Sequence, residues 1–483
     1  MTYPTPAFTG PELCSLSARE ALALLKSNEI SPNDLLTASY KRMDQVEPLI
    51  NATVTRCDDR ARAAIELLPT YALENATNPG WLAGLPIGIK DLTNVKGVAT
   101  SFGNLALRDF VPNFSDPLVE RLEAHGGIIA GKTNTPEFGA GGNTFNDVFG
   151  YTRNPWDTRM NAGGSSGGAA ASLASGELWL SHGSDLAGSL RTPAAFCGVV
   201  GLRPSPGRCG GGPAATVFSI EGLQGPMARD VRDLALFLDA MSGLDLRLPT
   251  SLDAPLTSFQ SAIEAPAHQI RIAFSEDQAG FAPVDQEIRL VLRKAMERVE
   301  MDGISVDIAC PDLAGLYETY TTLRGMHYGS VTAYLPAKVQ KHFKETLKTN
   351  VDFGRALTTQ KIYDALRQRT IIFNQMYGFL TRFDVLAIPV TGAIPGPVEV
   401  EFPASVDNEP VSDYLDWLRF SFLATTAGLP ALSLPVGYTS QGLPVGLQLV
   451  GPPRGEARLL QVAAKIEEIL AISKKPIDPI ISS

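Results

Sequence analysis

The stretch Asn161–Arg191, NAGGSSGGAAASLASGELWLSHGSDLAGSLR, places two serine-bearing glycine turns on either side of a short helical run and a short apolar run. In the first turn Gly163 and Gly164 precede Ser165 and Ser166, and Gly167 and Gly168 follow. Backbone this rich in glycine can adopt positive φ and lie close against another segment, so the rest of the chain reads as scaffold for it. In the second turn, Gly183-Ser184-Asp185-Leu186-Ala187-Gly188-Ser189, successive backbone N–H groups can converge on one oxygen beside a serine. That is the arrangement acyl transfer requires.

The other properties of the 483-residue chain narrow the setting. Hydrophobic residues make up 44% and charged residues 19%. No window approaches the roughly 20 apolar residues of a membrane span. The start, MTYPTPAFTGPEL, does not resemble a secretory signal, so a cytoplasmic protein is expected. The formal net charge of −10, without a long Lys/Arg block, argues against nucleic acid and for a small uncharged substrate. Five cysteines, widely spaced and without CxxC, suggest free packing thiols rather than disulfides or a zinc site, and no metal or cofactor is called for. Homo-oligomer formation is left open.

The pattern along the chain alternates helix and strand, which predicts an α/β fold. Ser17 with Glu20 forms a capping box before a helix over Ala18–Ser27, and Ser31-Pro32 starts a second helix to about Val46. A strand over Asn51–Arg56 and a helix from Asp58 to about Leu68 follow. Gly84–Asp91 reads as an apolar strand carrying Lys90, which would ordinarily be a solvated edge residue. Further on, strands are expected at Gly127–Lys132, Ile270–Phe274, Ile304–Ile308 and Asp384–Pro389, and two more within Gly428–Pro453. Helices are expected from Asp116-Pro117 to His125, from Arg229 to Met241, over Val284–Glu300 and over Glu456–Leu470. Leu244–Ala267 reads as a long connection, residues 311–420 as a partly helical cover whose spaced tyrosines are ordinarily core, with some able to line an apolar substrate entrance, and the loop 205–213 as a candidate lid.

Two motifs invite other readings. Gly126–Thr133 has the letters of a phosphate-binding loop, but its apolar run lies inside the loop and Thr135-Pro136 interrupts the next segment, which speaks against nucleotide binding. Gly163-Gly164-Ser165-Ser166-Gly167 matches the nucleophile elbow of α/β-hydrolases, yet none of His125, His182, His268, His327 and His342 sits in a recognisable loop motif. Glycine turns can also serve only to turn the chain or to hold an anion. Against that, two serine turns and an apolar-flanked lysine offer a nucleophile, a relay and a base without histidine.

Taken together, GGSSGG at 163–168, SDLAGSLR at 184–191, GIKD at 88–91 and PAAFCGVVGLRPS at 193–205 resemble the amidase signature family, and the likeness runs on to GLPVGLQLVGP near the end. The resemblance implies a single α/β/α domain over 1–483 around a mixed, twisted central sheet, with N-terminal helices in 1–70 and a catalytic core in 80–240. It further implies a Ser-cisSer-Lys triad: Ser189 as nucleophile, Ser165 as relay after a cis peptide bond, and Lys90 as base. The N–H groups of Leu186, Ala187, Gly188 and Ser189 would form the oxyanion hole, with Ser166, Asp185 and Arg191 in support. The family's usual glycine pair before the nucleophile is replaced here by Ala187-Gly188. The implied reaction is hydrolysis of a C–N acyl bond in a small-molecule amide or a carbamate, urethanes of aromatic amines included. Two alternatives remain at this point: the glutaminase subunit of a tRNA-dependent amidotransferase, whose usual glutamine after the arginine is Thr192 here, and a non-catalytic anion-binding module.

Overall fold

The computed structural model describes residues 6–211, 217–265, 269–332 and 334–481. Among them, eleven strands join into one sheet: β1 Thr53–Arg56, β2 Pro86–Lys90, β3 Ile128–Thr133, β4 Leu180–Asp185, β5 Val200–Arg203, β6 Leu223–Ala228, β7 Arg271–Phe274, β8 Ser305–Ile308, β9 Val385–Pro389, β10 Ala431–Tyr438 and β11 Pro444–Val450. Their order is β1-β3-β2-β4-β6-β5-β10-β11-β9-β7-β8. The sheet is mixed, as expected. It is parallel where β2 lies between β3 and β4 and where β7 lies between β9 and β8, and antiparallel elsewhere.

Alternation sends neighbouring residues of one strand into different cores: Ala228 packs with helices Val231–Met241 and Glu456–Leu470, Met227 with helices Gly167–Ala174 and Arg191–Cys197. Helix Gln286–Met301 buries Ile288, Leu292, Ala295, Met296 and Val299, the three-to-four spacing of an amphipathic stripe. Gly167–Ala174 has no polar face at all. Each of its eight residues is buried, and a Cβ on Gly168 would lie 2.5 Å from the Ala52 carbonyl oxygen, so glycine lets the helix sit against the sheet end.

Several boundaries differ from expectation for visible reasons. The capping box of Ser17 and Glu20 is formed, and the second helix runs a turn further, to Ile50, where Asn51 closes it in a left-handed conformation. Helix Asp58–Asn75 likewise continues past Pro69. The supposed connection after Leu244 contains helix Phe259–Glu264, started by the Ser258 side chain accepting from the Ser261 amide, while 266–267 lie outside the described residues. Strand β6, LQGPMA, lies in a stretch given no element above; its Gly225 and Pro226 weaken a strand pattern, and pairing with β4 and β5 makes it a strand. Of the loop 205–213, residues 212 and 213 lie outside the described residues. Its first part is tied down, the Ser205 amide donating to Glu456 Oε1 at 2.7 Å and Arg208 Nη1 to the Asp253 carbonyl at 3.1 Å. No helix among the described residues is long and apolar enough to cross a membrane.

Candidate active site

Lys90 and Asp185 stand at the carboxyl ends of β2 and β4, adjacent parallel strands, where open α/β sheets place their ligands. The solvated-edge reading of Lys90 does not hold: the side chain is 0% exposed. Its Nζ lies 2.6 Å from Ser165 Oγ, 2.8 Å from Ser166 Oγ and 3.1 Å from Ser184 Oγ. Burial holds the amine well below the usual lysine range, outweighing the opposite pull of Asp185. A neutral amine has a lone pair to accept a proton from one of these hydroxyls. The Lys90 amide also donates to His182 Nδ1 at 3.4 Å, and His182 Nε2 lies 2.6 Å from Gln224 Oε1. Those two partners assign the proton to Nε2, and burial takes the ring down to about 4, so His182 is a neutral strut.

The first turn lies directly over this amine. The Gly164–Ser165 peptide is cis, and a Cβ on Gly164 would lie 2.7 Å from the Gly141 carbonyl oxygen. Ser166, expected only in a supporting position, touches Lys90 itself and accepts from the Ser184 amide at 3.3 Å. Ser184 is a third hydroxyl on Nζ that was not singled out in sequence. The two turns are joined by the Ser166 amide donating to the Ser189 carbonyl at 3.1 Å.

Asp185 shapes the second turn. Its Oδ1 accepts from the Gly188 amide and its Oδ2 from the Leu190 amide, each at 3.1 Å, and Arg191 grips both oxygens at 2.8 and 3.0 Å. Burial alone would raise this carboxyl, but Arg191, with Arg203 and the Leu190 amide, holds it well below the carboxylate range. Arg191 continues to Gln448 Oε1 and to the Ser421 carbonyl at 3.4 Å, pinning the turn to the C-terminal half. Gly188 sits at φ +86°, and a Cβ there would lie 2.9 Å from Thr192 Oγ1. With the Gly188 amide engaged by Asp185, the amides of Leu186, Ala187 and Ser189 are those with no partner among the described residues. Ser189 itself is 6% exposed.

Aromatic side chains pack in the segments that adjoin the two turns. Phe138 adopts φ +46°, its ring stacking on Phe102 at 5.9 Å and meeting Phe343 edge-on at 5.7 Å. A Cβ on the next residue, Gly139, would lie 3.4 Å from Ser165 Oγ. A non-glycine residue at positive φ costs about 1 kcal/mol or more and is a recurrent feature of functional sites. On the other side Tyr320 stacks on Phe422 at 3.6 Å, and its hydroxyl and that of Thr425 donate to the Leu186 carbonyl at 3.4 and 2.9 Å. The nucleotide-loop look-alike takes no part. Lys132 is buried inside β3, its Nζ 2.9 Å from Asp91 Oδ1 and 2.8 Å from Thr100 Oγ1.

The amidase family profile matches residues 34–460, which takes in both turns, Lys90 and the sheet around them. The chain belongs to the amidase signature family. It is 36% identical to an acylamidase of Rhodococcus erythropolis over 96% of this chain and 98% of that one. It is also 33% identical to a glutamyl-tRNA(Gln) amidotransferase subunit of a Sulfurihydrogenibium species, over 95% of this chain and 98% of that one. Among solved structures, a bacterial aryl acylamidase of the amidase signature family superposes with a TM-score of 0.86 at 28% identity, covering 94% of this chain and 96% of that one. The chain is thus an amidase-family enzyme of C–N bonds.

Proposed function

We propose that this amidase hydrolyses C–N acyl bonds of small-molecule amides and of carbamates with aryl amine leaving groups, through an acyl-enzyme on Ser189. The observation that carries the reading is the buried Lys90 amine within hydrogen-bond reach of Ser165, with the Ser189 turn braced alongside by Asp185 and Arg191. Neutral Lys90 takes the Ser165 proton as Ser165 takes that of Ser189, and Ser189 Oγ adds to the carbonyl carbon. The free amides of Leu186, Ala187 and Ser189 receive the developing oxyanion. Protonated Lys90 returns the proton through Ser165 to the leaving nitrogen, the C–N bond breaks, and water releases the acyl group by the same relay. With a carbamate the intermediate is a carbonate ester of Ser189, whose hydrolysis yields the alcohol and carbon dioxide.

The aryl group of the proposed substrate is supported by the likeness to the aryl acylamidase, which acts on substrates of that class by its name. The test is a set of p-nitroanilide amides beside matched aryl carbamates, with Ser189→Ala as blank. Turnover of both classes that vanishes in the blank is expected. Turnover of amides alone removes the carbamate part, and turnover of neither removes the whole reading.

A second reading, the glutaminase subunit of an amidotransferase, is favoured by the 33% identity to one subunit of such an enzyme. Thr192 in place of glutamine and Ala187 in place of glycine speak against it. Glutaminase activity that appears only with a co-purifying partner would favour the second reading over the first.

A further inference from the structure

Helix Leu316–Thr332 carries Tyr320, Arg324 and Tyr328 at intervals of four, on one face. Tyr320 reaches the Leu186 carbonyl at the start of the Ser189 turn. Tyr328 packs with Ala140 and Phe138, the segment whose Gly139 approaches Ser165. Arg324 therefore stands between the part of the helix that meets the Ser189 turn and the part that meets the Phe138–Ala140 segment.

Its guanidinium is buried, the residue being 3% exposed. Nε donates to Asn350 Oδ1 at 3.1 Å, Nη1 to the Tyr320 hydroxyl at 3.5 Å and Nη2 to the Tyr414 hydroxyl. The rings of Tyr328 and Tyr414 lie 4.7 and 5.4 Å from its central carbon. A guanidinium has five N–H groups, so one on each terminal nitrogen is without an acceptor among the described residues, and none of these residues brings a carboxylate within ion-pair distance. Nearby cations differ: Lys344 pairs with Glu401, Arg369 with Glu221 and Arg191 with Asp185. Arginine cannot shed its proton, so this charge is offset only by aromatic faces and neutral oxygens. A buried cation with donors to spare, in an aromatic setting joined through the Tyr320 hydroxyl to the Leu186 carbonyl of the Ser189 turn, is a receptor for an anionic oxygen.

We infer that Arg324 anchors a carboxylate on the substrate, remote from the scissile bond, so that the preferred amide or carbamate is an acid rather than a neutral molecule. This rests on the hydrolase reading above. Two matched pairs test it: glutaryl against valeryl p-nitroanilide, with the acid on the acyl side, and N-acetyl-p-aminobenzoate against acetanilide, with the acid on the amine side. In at least one pair the acid is expected to have the higher kcat/KM by about 10-fold or more, and Arg324→Met to lower the acid-to-neutral ratio by about 30-fold or more. A helix-holding role alone would move both members together and leave the ratio unchanged. Should Arg324→Met not fold, competitive inhibition of the unmodified enzyme by benzoate and benzamide decides, with benzoate expected to bind about 10-fold more tightly. Turnover of the neutral members with no preference for the acids, an unchanged ratio in Arg324→Met, or equal inhibition overturns the carboxylate anchor alone. No turnover of any of the four compounds overturns the hydrolase reading and this inference with it.

Discussion

Lys90 Nζ lies 2.6 Å from Ser165 Oγ inside a fully buried site, and the groups within its hydrogen-bond reach are hydroxyls rather than carboxylates. Burial favours the neutral amine, and with it the form that accepts a proton. Lys90→Met, which keeps much of the volume, is expected to lower kcat by about 10²–10⁴-fold. In the unmodified enzyme kcat should rise with pH through the depressed lysine pKa and level off above it. A pH-independent kcat, with chemistry shown to be rate-limiting, would contradict Lys90 as the base.

Ser166 shares the amine with Ser165 at 2.8 Å. Losing one such hydrogen bond costs about 1 kcal/mol, so Ser166→Ala should retain labelling by a fluorophosphonate while kcat falls only about 5-fold. Ser189→Ala should abolish labelling. A chain that labels at no serine and turns over neither amide nor carbamate would be an anion-binding module instead.

Gly188 occupies φ +86° with Thr192 Oγ1 close by. Gly188→Ala should destabilise the fold by about 1–3 kcal/mol and reduce activity, because both φ and the Cβ oppose the turn. Denaturant unfolding and steady-state rates measure the two effects, and an unperturbed variant would show that the turn tolerates a side chain.

Asp185 is fixed by Arg191 and two amides, with Arg203 3.6 Å away. Asp185→Asn leaves two buried guanidinium groups without their carboxylate and should cost about 3–5 kcal/mol of stability. Because the folded carboxyl titrates below its unfolded value, its contribution is present above the unfolded pKa and is lost only as the pH falls to strongly acidic values. Unfolding followed by circular dichroism from neutral to acid pH tests both statements.

Half-buried Glu47 lies against the fully buried Glu177, the latter also accepting from Thr53 Oγ1 at 2.7 Å, and desolvation raises both carboxyls. A raised folded pKa makes its stability contribution complete below the unfolded value and lost as the pH rises through the folded one. Thermal stability should therefore decline from weakly acidic toward alkaline pH, opposite to the rise in kcat, and Glu177→Gln should flatten the decline. A slope that the substitution leaves unchanged would place its origin elsewhere.

Much of this site was legible in the sequence because its parts are local. The two turns, Asp185 and Arg191 lie within thirty-one consecutive residues, and glycine identity reports directly on the backbone each turn needs. Strands such as Val385–Pro389 and helices such as Gln286–Met301 were visible through hydrophobic patterning. Interactions between distant segments were not. Ser184 on Lys90, the amide of Gly188 turned toward Asp185, Phe138 at positive φ beside Ser165, and Arg324 without a carboxylate all depend on tertiary placement. Strand Leu223–Ala228 was hidden for the same reason, since pairing on both edges overrides its Gly-Pro composition.

The central claim is that Ser189 carries the acyl group. Rapid quenching during turnover of an aryl amide, followed by peptide mapping by mass spectrometry, locates the modified side chain. The acyl group on Ser189, accumulating at acid quench and absent in Ser189→Ala, is the predicted result. Modification of Ser165, Ser166 or Lys90 instead, with Ser189 unmodified, would contradict it.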